Sequence, residues 1–413
     1  MKLTTIKENN VTYHYIKTNQ FKSNVISIRF FEPYEEKSAL TRYLMFQMLK
    51  AKTKKYPSRK KMSEAIDALY DGLLSVQSTK FGTYHVNTVN LMVIHDRYTL
   101  GDELFKEALN FLNALIHEPL FDEASLEEEK AFLSDMIKAE YANKTRFASK
   151  EYSSYLMQDH PYKGFHYGDL ANLKAVNIPM IHEAFLTMMQ KNSIVLSVTG
   201  DLESESAHQA VKNALTLKGY PINNAIIYRH DFHPKEDYFY EAIASQNRLF
   251  VGLKTPIFYK DDDYLSMVVL VSLLGEGSDS LLFKTIREQN SLAYYVYASY
   301  SPFTGIITLS SGLDTVNVPK AYEMMIDILD SLKQGLFSDE DFNLAKTSLI
   351  SSYKQSFDHI TALSMKALRH MLFDVPFDET TFVEGINNVQ KEDIIRCAQT
   401  ITKLFTFEYG VKR

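Results

Sequence analysis

Residues 120–130 read Leu-Phe-Asp-Glu-Ala-Ser-Leu-Glu-Glu-Glu-Lys, and residues 336–346 read Leu-Phe-Ser-Asp-Glu-Asp-Phe-Asn-Leu-Ala-Lys. The offset of 216 is kept by Leu133 and Leu349 and by Lys138 and Lys354. Val389–Ala398 echoes Val176–Phe185, and Thr406–Gly410 echoes Ser197–Gly200. Offsets near half of a 413-residue chain, met in the same order, point to an internal duplication. A chain of this length needs two cores rather than one. The expected division is a first domain over 1–218, a linker over 219–237 with two prolines and two asparagines, and a second domain over 238–413.

Periodicity fills in the halves. Residues 23–31 alternate as a strand, and 37–52 and 58–69 have helical spacing. Residues 73–94 read as a hairpin about Phe81-Gly82. Residues 101–115, 125–158, 178–190 and 205–217 read as helices, the second of them long and unbroken, with a strand at 194–199. The second half repeats the order: a strand at 248–254, a helix at 264–274, two strands within 294–313 and a helix at 321–332. Hairpins make antiparallel pairs, and long amphipathic helices need a sheet face to cover. The expected class is therefore α+β: two related domains, each a mainly antiparallel sheet covered by helices.

Charge and cysteine content narrow the function. A net charge of −6 argues against a nucleic-acid footprint, which is basic. Cys397 is alone, which excludes an internal disulfide and a cysteine-based zinc site. The longest apolar run, 265–274, is too short to span a bilayer, and the N-terminus lacks the apolar core of a signal peptide. The expected location is the cytoplasm.

The stretch richest in chemistry is 281–298, Leu-Leu-Phe-Lys-Thr-Ile-Arg-Glu-Gln-Asn-Ser-Leu-Ala-Tyr-Tyr-Val-Tyr-Ala. It reads as a helix end, a polar turn at 288–291 and a strand. Arg287 and Tyr294 flank the turn. A guanidinium fork and a phenol both bond peptide carbonyls or a carboxylate. The alternative is that Arg287 caps the helix C-terminus.

Leu281-Leu282-Phe283-(x)3-Arg287-Glu288-(x)3-Leu292-Ala293-Tyr294 resembles the pitrilysin/insulinase metallopeptidases, the inverzincins. So do Pro119-Leu120-Phe121 ahead of Glu128-Glu129-Lys130, His160-Pro161-Tyr162 with Gly168, and Val198-Thr199-Gly200-Asp201-Leu202. The resemblance implies two related α+β domains forming half of a clamshell, closed by a second, similar pair. Active members carry H-x-x-E-H on the first long helix, two histidines holding zinc and the glutamate activating water. Here those positions fall at Tyr43, Phe46 and Gln47, and the third ligand at Met136, with Glu129 and Asp135 close by. Phenol, carboxamide and thioether are poor zinc ligands, and a phenylalanine takes no proton. Neither H-x-x-E-H nor H-E-x-x-H occurs in the chain.

The resemblance then implies a catalytically silent subunit without a cofactor of its own. Its partner would be a zinc-binding paralogue, as in two-chain members of Gram-positive bacteria, and its substrate a peptide. Arg287 and Tyr294 would be the retained clamp. A structural scaffold without peptide handling, and an active enzyme with unorthodox ligands, are the alternatives. Other motifs carry less. His230-Asp231-Phe232-His233 sits in the expected linker, and Gly275–Ser280 lacks the Gly-Lys-Ser/Thr of a phosphate loop. Asp261-Asp262-Asp263 suits a solvated helix start.

Overall fold

A computed structural model of the chain describes residues 1–160, 163–222, 227 and 229–412. Pro161 and Tyr162 of the His-Pro-Tyr motif, and residues 223–226 and 228 of the expected linker, lie outside the described residues. The chain runs β1 (Lys2–Glu8), β2 (Val11–Lys17), β3 (Ser23–Pro33), α1 (Glu36–Leu49), α2 (Arg59–Asp67), β4 (Leu73–Phe81) and β5 (Tyr84–Ile94). It continues through α3 (Leu104–His117), α4 (Glu123–Ala142), α5 (Lys144–Leu156), α6 (Ile178–Lys191), β6 (Ser193–Gly200) and α7 (Ser204–Ala214). The second half has β7 (Tyr238–Glu241), β8 (Asn247–Lys254), α8 (Tyr264–Gly275), a π-helix (Phe283–Gln289), β9 (Ala293–Ser301) and β10 (Ile306–Leu313). It ends with α9 (Val318–Lys333), α10 (Asp339–Gln355), α11 (Ile360–Phe373), α12 (Glu379–Asn388), α13 (Lys391–Gln399) and β11 (Thr402–Gly410).

Two sheets result, ordered β1-β2-β6-β3-β5-β4 and β7-β11-β8-β10-β9. Apart from β1, their plans coincide. The last strand of each half inserts between the first two, parallel to one and antiparallel to the other. All remaining pairs are antiparallel. The mainly antiparallel α+β class and the duplication both hold.

One buried contact is built twice. A Cβ on Gly200, at the end of β6, would collide with Asn24 Oδ1 on β3. A Cβ on Gly410, at the end of β11, would collide with Asn247 Oδ1 on β8. Asn24 and Asn247 are fully buried, so each glycine closes its sheet around an amide with no room for a side chain. The second amide also receives the Val411 N–H at 3.0 Å and donates to Glu408 Oε1 at 2.7 Å.

The chain forms two compact units that interleave along the sequence. One comprises Met1–Lys138, Tyr162–Ile226 and Ser356–Leu372; the other comprises Ala139–Pro161, Ile227–Gln355 and Phe373–Arg413. α5 thus belongs with the second sheet, where Tyr152 stacks on Phe250 at 4.9 Å and its hydroxyl bonds Thr308 at 2.9 Å. Most of α11 belongs with the first, where Ser364 accepts from Arg29 Nη2 at 2.8 Å. The long helix expected over 125–158 is in fact two helices. Asn143 breaks it, accepting from the N–H groups of Thr145 and Arg146 at 3.1 Å as the N-cap of α5.

Two buried histidines give the first unit a pH dependence. His14 on β2 is pushed down to about 3 by burial and then by Arg29, and His85 on β5 to about 3 by burial and then by Arg42. Folded, both stay neutral; unfolded, both bind a proton near pH 6.5. The unfolded state therefore takes up more protons as pH falls below about 6.5, and stability drops over that window. Urea unfolding between pH 7.5 and 5 should show a loss of up to about 2–3 kcal/mol per pH unit below pH 6. The double variant His14→Gln/His85→Gln should flatten that slope; an unchanged slope contradicts the assignment.

Candidate functional site

Every side chain of α1 from Ala39 to Leu49 is buried. Phe46 is fully enclosed, its ring 5.5 Å from Phe30. Tyr43 packs against His166 and Tyr167, with centroids at 6.1 and 6.5 Å. Gln47 is buried and accepts from Lys50 Nζ at 2.7 Å. Met136, on α4, is half-buried against the same core. Of its acidic neighbours, Glu129 is buried and faces Arg59 at 3.3 Å, while Asp135 is exposed and pairs with Lys138 at 2.9 Å. These groups can pack and hydrogen-bond, but phenylalanine can neither ligate nor accept a proton. Among the described residues no group of three or more His, Cys, Asp or Glu is placed to hold a metal ion.

Beside α1 lies a cavity of about 250 Å³ whose lining includes Glu32, Thr41 and Arg42 but not Tyr43, Phe46 or Gln47. Arg42, buried, is bound by Glu32 at 2.7 Å and donates from Nε to His85 Nδ1 at 3.2 Å. The sequence reading passed over this cluster. Its one signal was a charged residue, Arg42, within the mostly apolar run from Ala39 to Leu49.

Arg287 lies in the π-helix. The wide turn closes through the Leu292 N–H to Ile286 O at 3.0 Å and the Ser291 N–H to Arg287 O at 3.1 Å, with Ser291 at φ +51. Such backbone is uncommon for a side-chain-bearing residue and clusters at functional sites. Ile286 is buried beneath it and Lys284 ties the turn to Asp341 at 2.9 Å. Arg287 points outward, its guanidinium 4.7 Å from the Phe283 ring centroid, and enters no ion pair among the described residues.

Tyr294 stands on β9, the edge strand of its sheet. The ladder to β10 passes from Tyr295–Gly312 directly to Ala293–Leu313, so Tyr294 is the extra residue of a β-bulge. The bulge turns its side chain outward, 53% exposed. Its hydroxyl donates to Asp314 Oδ1 at 3.1 Å, and this bond raises the phenol's pKa and keeps it protonated. Arg287 and Tyr294 therefore flank one turn, as the spacing suggested, but the phenol bonds Asp314 rather than the guanidinium.

The remaining motifs are structural. Asp261 pairs with Arg229 at 2.6 Å and accepts the Phe258 N–H at 2.8 Å, and Asp263 pairs with Arg396. His230 meets His160 edge-on at 4.6 Å, while His233 is exposed. Ser280 donates to Gly277 O at 2.8 Å in the turn ahead of the π-helix.

Comparison with known proteins agrees with this layout. Residues 175–349 match the family described as the peptidase M16 inactive domain. The chain is 27% identical over 406 residues to the probable inactive metalloprotease YmfF of Bacillus subtilis, covering 96% of this chain and 94% of that one. It is 21% identical to the uncharacterized zinc protease YmxG of the same organism, over 86% and 83% of the two chains. A conserved protein of Enterococcus faecalis superposes with a TM-score of 0.91 at 21% identity, covering 100% and 99% of the chains. The peptidase M16 inactive domain from Pseudomonas fluorescens does so with a TM-score of 0.82 at 16% identity, also over 100% and 99%. No described helix is long and apolar enough to cross a membrane. The chain is an inactive-peptidase homologue of the M16 kind: residues 175–349 match that family's inactive domain, and nearly its whole length is similar to a probable inactive metalloprotease.

Proposed function

We propose that this chain is the zinc-free subunit of a two-chain zinc peptidase and holds the peptide substrate with Arg287 and Tyr294, while a zinc-binding paralogue in the cytoplasm supplies the metal. The observation that carries the reading is the outward pair itself. A guanidinium without an ion pair among the described residues and a bulged, protonated phenol flank one turn at a sheet edge. A free edge offers main-chain bonds to an extended peptide, and the guanidinium offers donors for its carbonyls or terminal carboxylate, joined by the phenol once its proton turns from Asp314 to the peptide. That Bacillus subtilis has both a relative named inactive and one named a zinc protease fits a division of labour between paralogues. In this reading Tyr43, Phe46, Gln47 and Met136 stand where the zinc site has been lost, and residues 219–237 link the two duplicated halves.

Two outcomes follow. The purified chain binds no stoichiometric zinc and cleaves no peptide alone, measured by elemental analysis after dialysis and a quenched-fluorescence peptide assay. One zinc per chain with chelator-sensitive cleavage would overturn the reading.

Co-expressed with a zinc-binding homologue from its own genome, the chain should form a stable heterodimer that cleaves peptides. There, Arg287→Lys and Tyr294→Phe should each lower kcat/KM about tenfold or more, because a charge-assisted bond is worth about 1.5–3 kcal/mol and lysine cannot reproduce a bidentate fork. Melting temperature and complex yield should stay at wild type. Loss of melting temperature with full activity per folded complex would make Arg287 a helix cap instead.

A further inference from the structure

The duplication lets one half serve as a template for the other. Gly200 pairs with Lys17 on β2, and Gly410 pairs with Glu241 on β7. Counting back from these glycines makes Phe239 the counterpart of Tyr15, Glu408 of Val198, and Thr406 of Leu196. In the first unit α7 packs on β2 and α3 and covers Tyr15. Ala207, His208 and Val211 of α7 are buried. The His208 ring sits edge-on to Tyr13 and Tyr15, and its Nδ1 lies 2.9 Å from the Tyr15 hydroxyl.

In the second unit the same place, between β7 and α9, is an open groove of about 440 Å³. Leu249 and Val318 form its apolar floor, and Phe239 and Tyr322 its aromatic walls. Its charged lining residues are Asp237, Glu323 and Glu408, beside the polar Thr406 and Tyr238. Lys403 offsets Asp237 at 3.2 Å, and Glu323 is exposed on the outer turn of α9. Where the covered groove has Val198, the open one has Glu408, 7% exposed.

We infer that this groove receives an amphipathic helix of a partner polypeptide, in the place α7 takes in the first unit, with lysine or arginine along the helix edge. An apolar floor between a strand and a helix is the surface that a helix laid in a groove requires. Asp237 is offset by Lys403 and Glu408 is held by Asn247, so the exposed Glu323 at the groove's edge is the carboxylate that favours a cationic helix over an acidic one. The inference is independent of Arg287 and Tyr294.

The test uses the full chain and two capped synthetic peptides built on residues 204–217, keeping Ala207, Val211 and Leu215. One carries lysine and the other glutamate at the flanking positions. Fluorescence anisotropy should show saturable one-to-one binding of the lysine peptide and at least tenfold weaker binding of the glutamate peptide. Hydrogen exchange should slow on β7 and the first turns of α9. Glu323→Lys, an exposed change that leaves the fold intact, should weaken the lysine peptide about tenfold. Equal affinity for both peptides, protection elsewhere, or an unchanged affinity in Glu323→Lys would overturn the inference.

Discussion

Burial of α1 on every side is the constraint on which the rest depends. Helices that hold a catalytic metal keep one face open to water and substrate, because the metal needs a vacant coordination position. Here the side chains of Ala39–Leu49 are buried, and of them only Thr41 and Arg42 line the cavity beside the helix. Phe46 packed against Phe30 contributes hydrophobic stabilisation of about 1.5–3 kcal/mol where a general base would have to remain solvated and ionised. The helix is committed to the core and presents neither a zinc-ligand set nor a general base. The surface proposed for the peptide lies in the other half, on the π-helix and the bulged edge of β9.

In the proposed reading, the duplication lets one half lose its zinc site while the other keeps the Arg287 and Tyr294 pair. Both sheets close the same way, by a last strand inserted beside the first, and both use a glycine packed against a buried asparagine at that closure. Neither contact involves the first helix of its half. Replacements at Tyr43, Phe46 and Gln47 therefore leave the closure of the first sheet alone. The halves have also diverged around this shared plan. β1 and α7 flank and cover β2 in one, whereas β7 in the other borders an acidic groove.

Much of this was legible in the sequence. The echo at 120–130 and 336–346 disclosed the duplication, and Phe81-Gly82 disclosed a hairpin whose turn has Gly82 at φ +58. The β1–β2 hairpin was not read. β1 is a half-exposed edge strand with a polar sequence, and its turn is made by Asn9 and Asn10, both at positive φ, with no glycine to mark it. The break at Asn143 was hidden because an asparagine at an N-cap looks like one polar residue within a helical pattern. The pair Arg287 and Tyr294 was found by spacing, but the π-turn and the bulge that orient them are properties of hydrogen-bond register, which composition does not encode. The groove was invisible for a related reason: its residues come from three strands and a helix far apart in the chain.

The central claim is that this chain touches the peptide that its partner cuts. Photo-crosslinking tests it most directly, using a heterodimer whose zinc subunit has its water-activating glutamate replaced by glutamine so that substrate stays bound. A peptide carrying a benzoylphenylalanine should crosslink to residues 283–297 of this chain, and the crosslink should fade in Arg287→Ala. Crosslinks confined to the zinc subunit, or unchanged in that variant, would contradict the account.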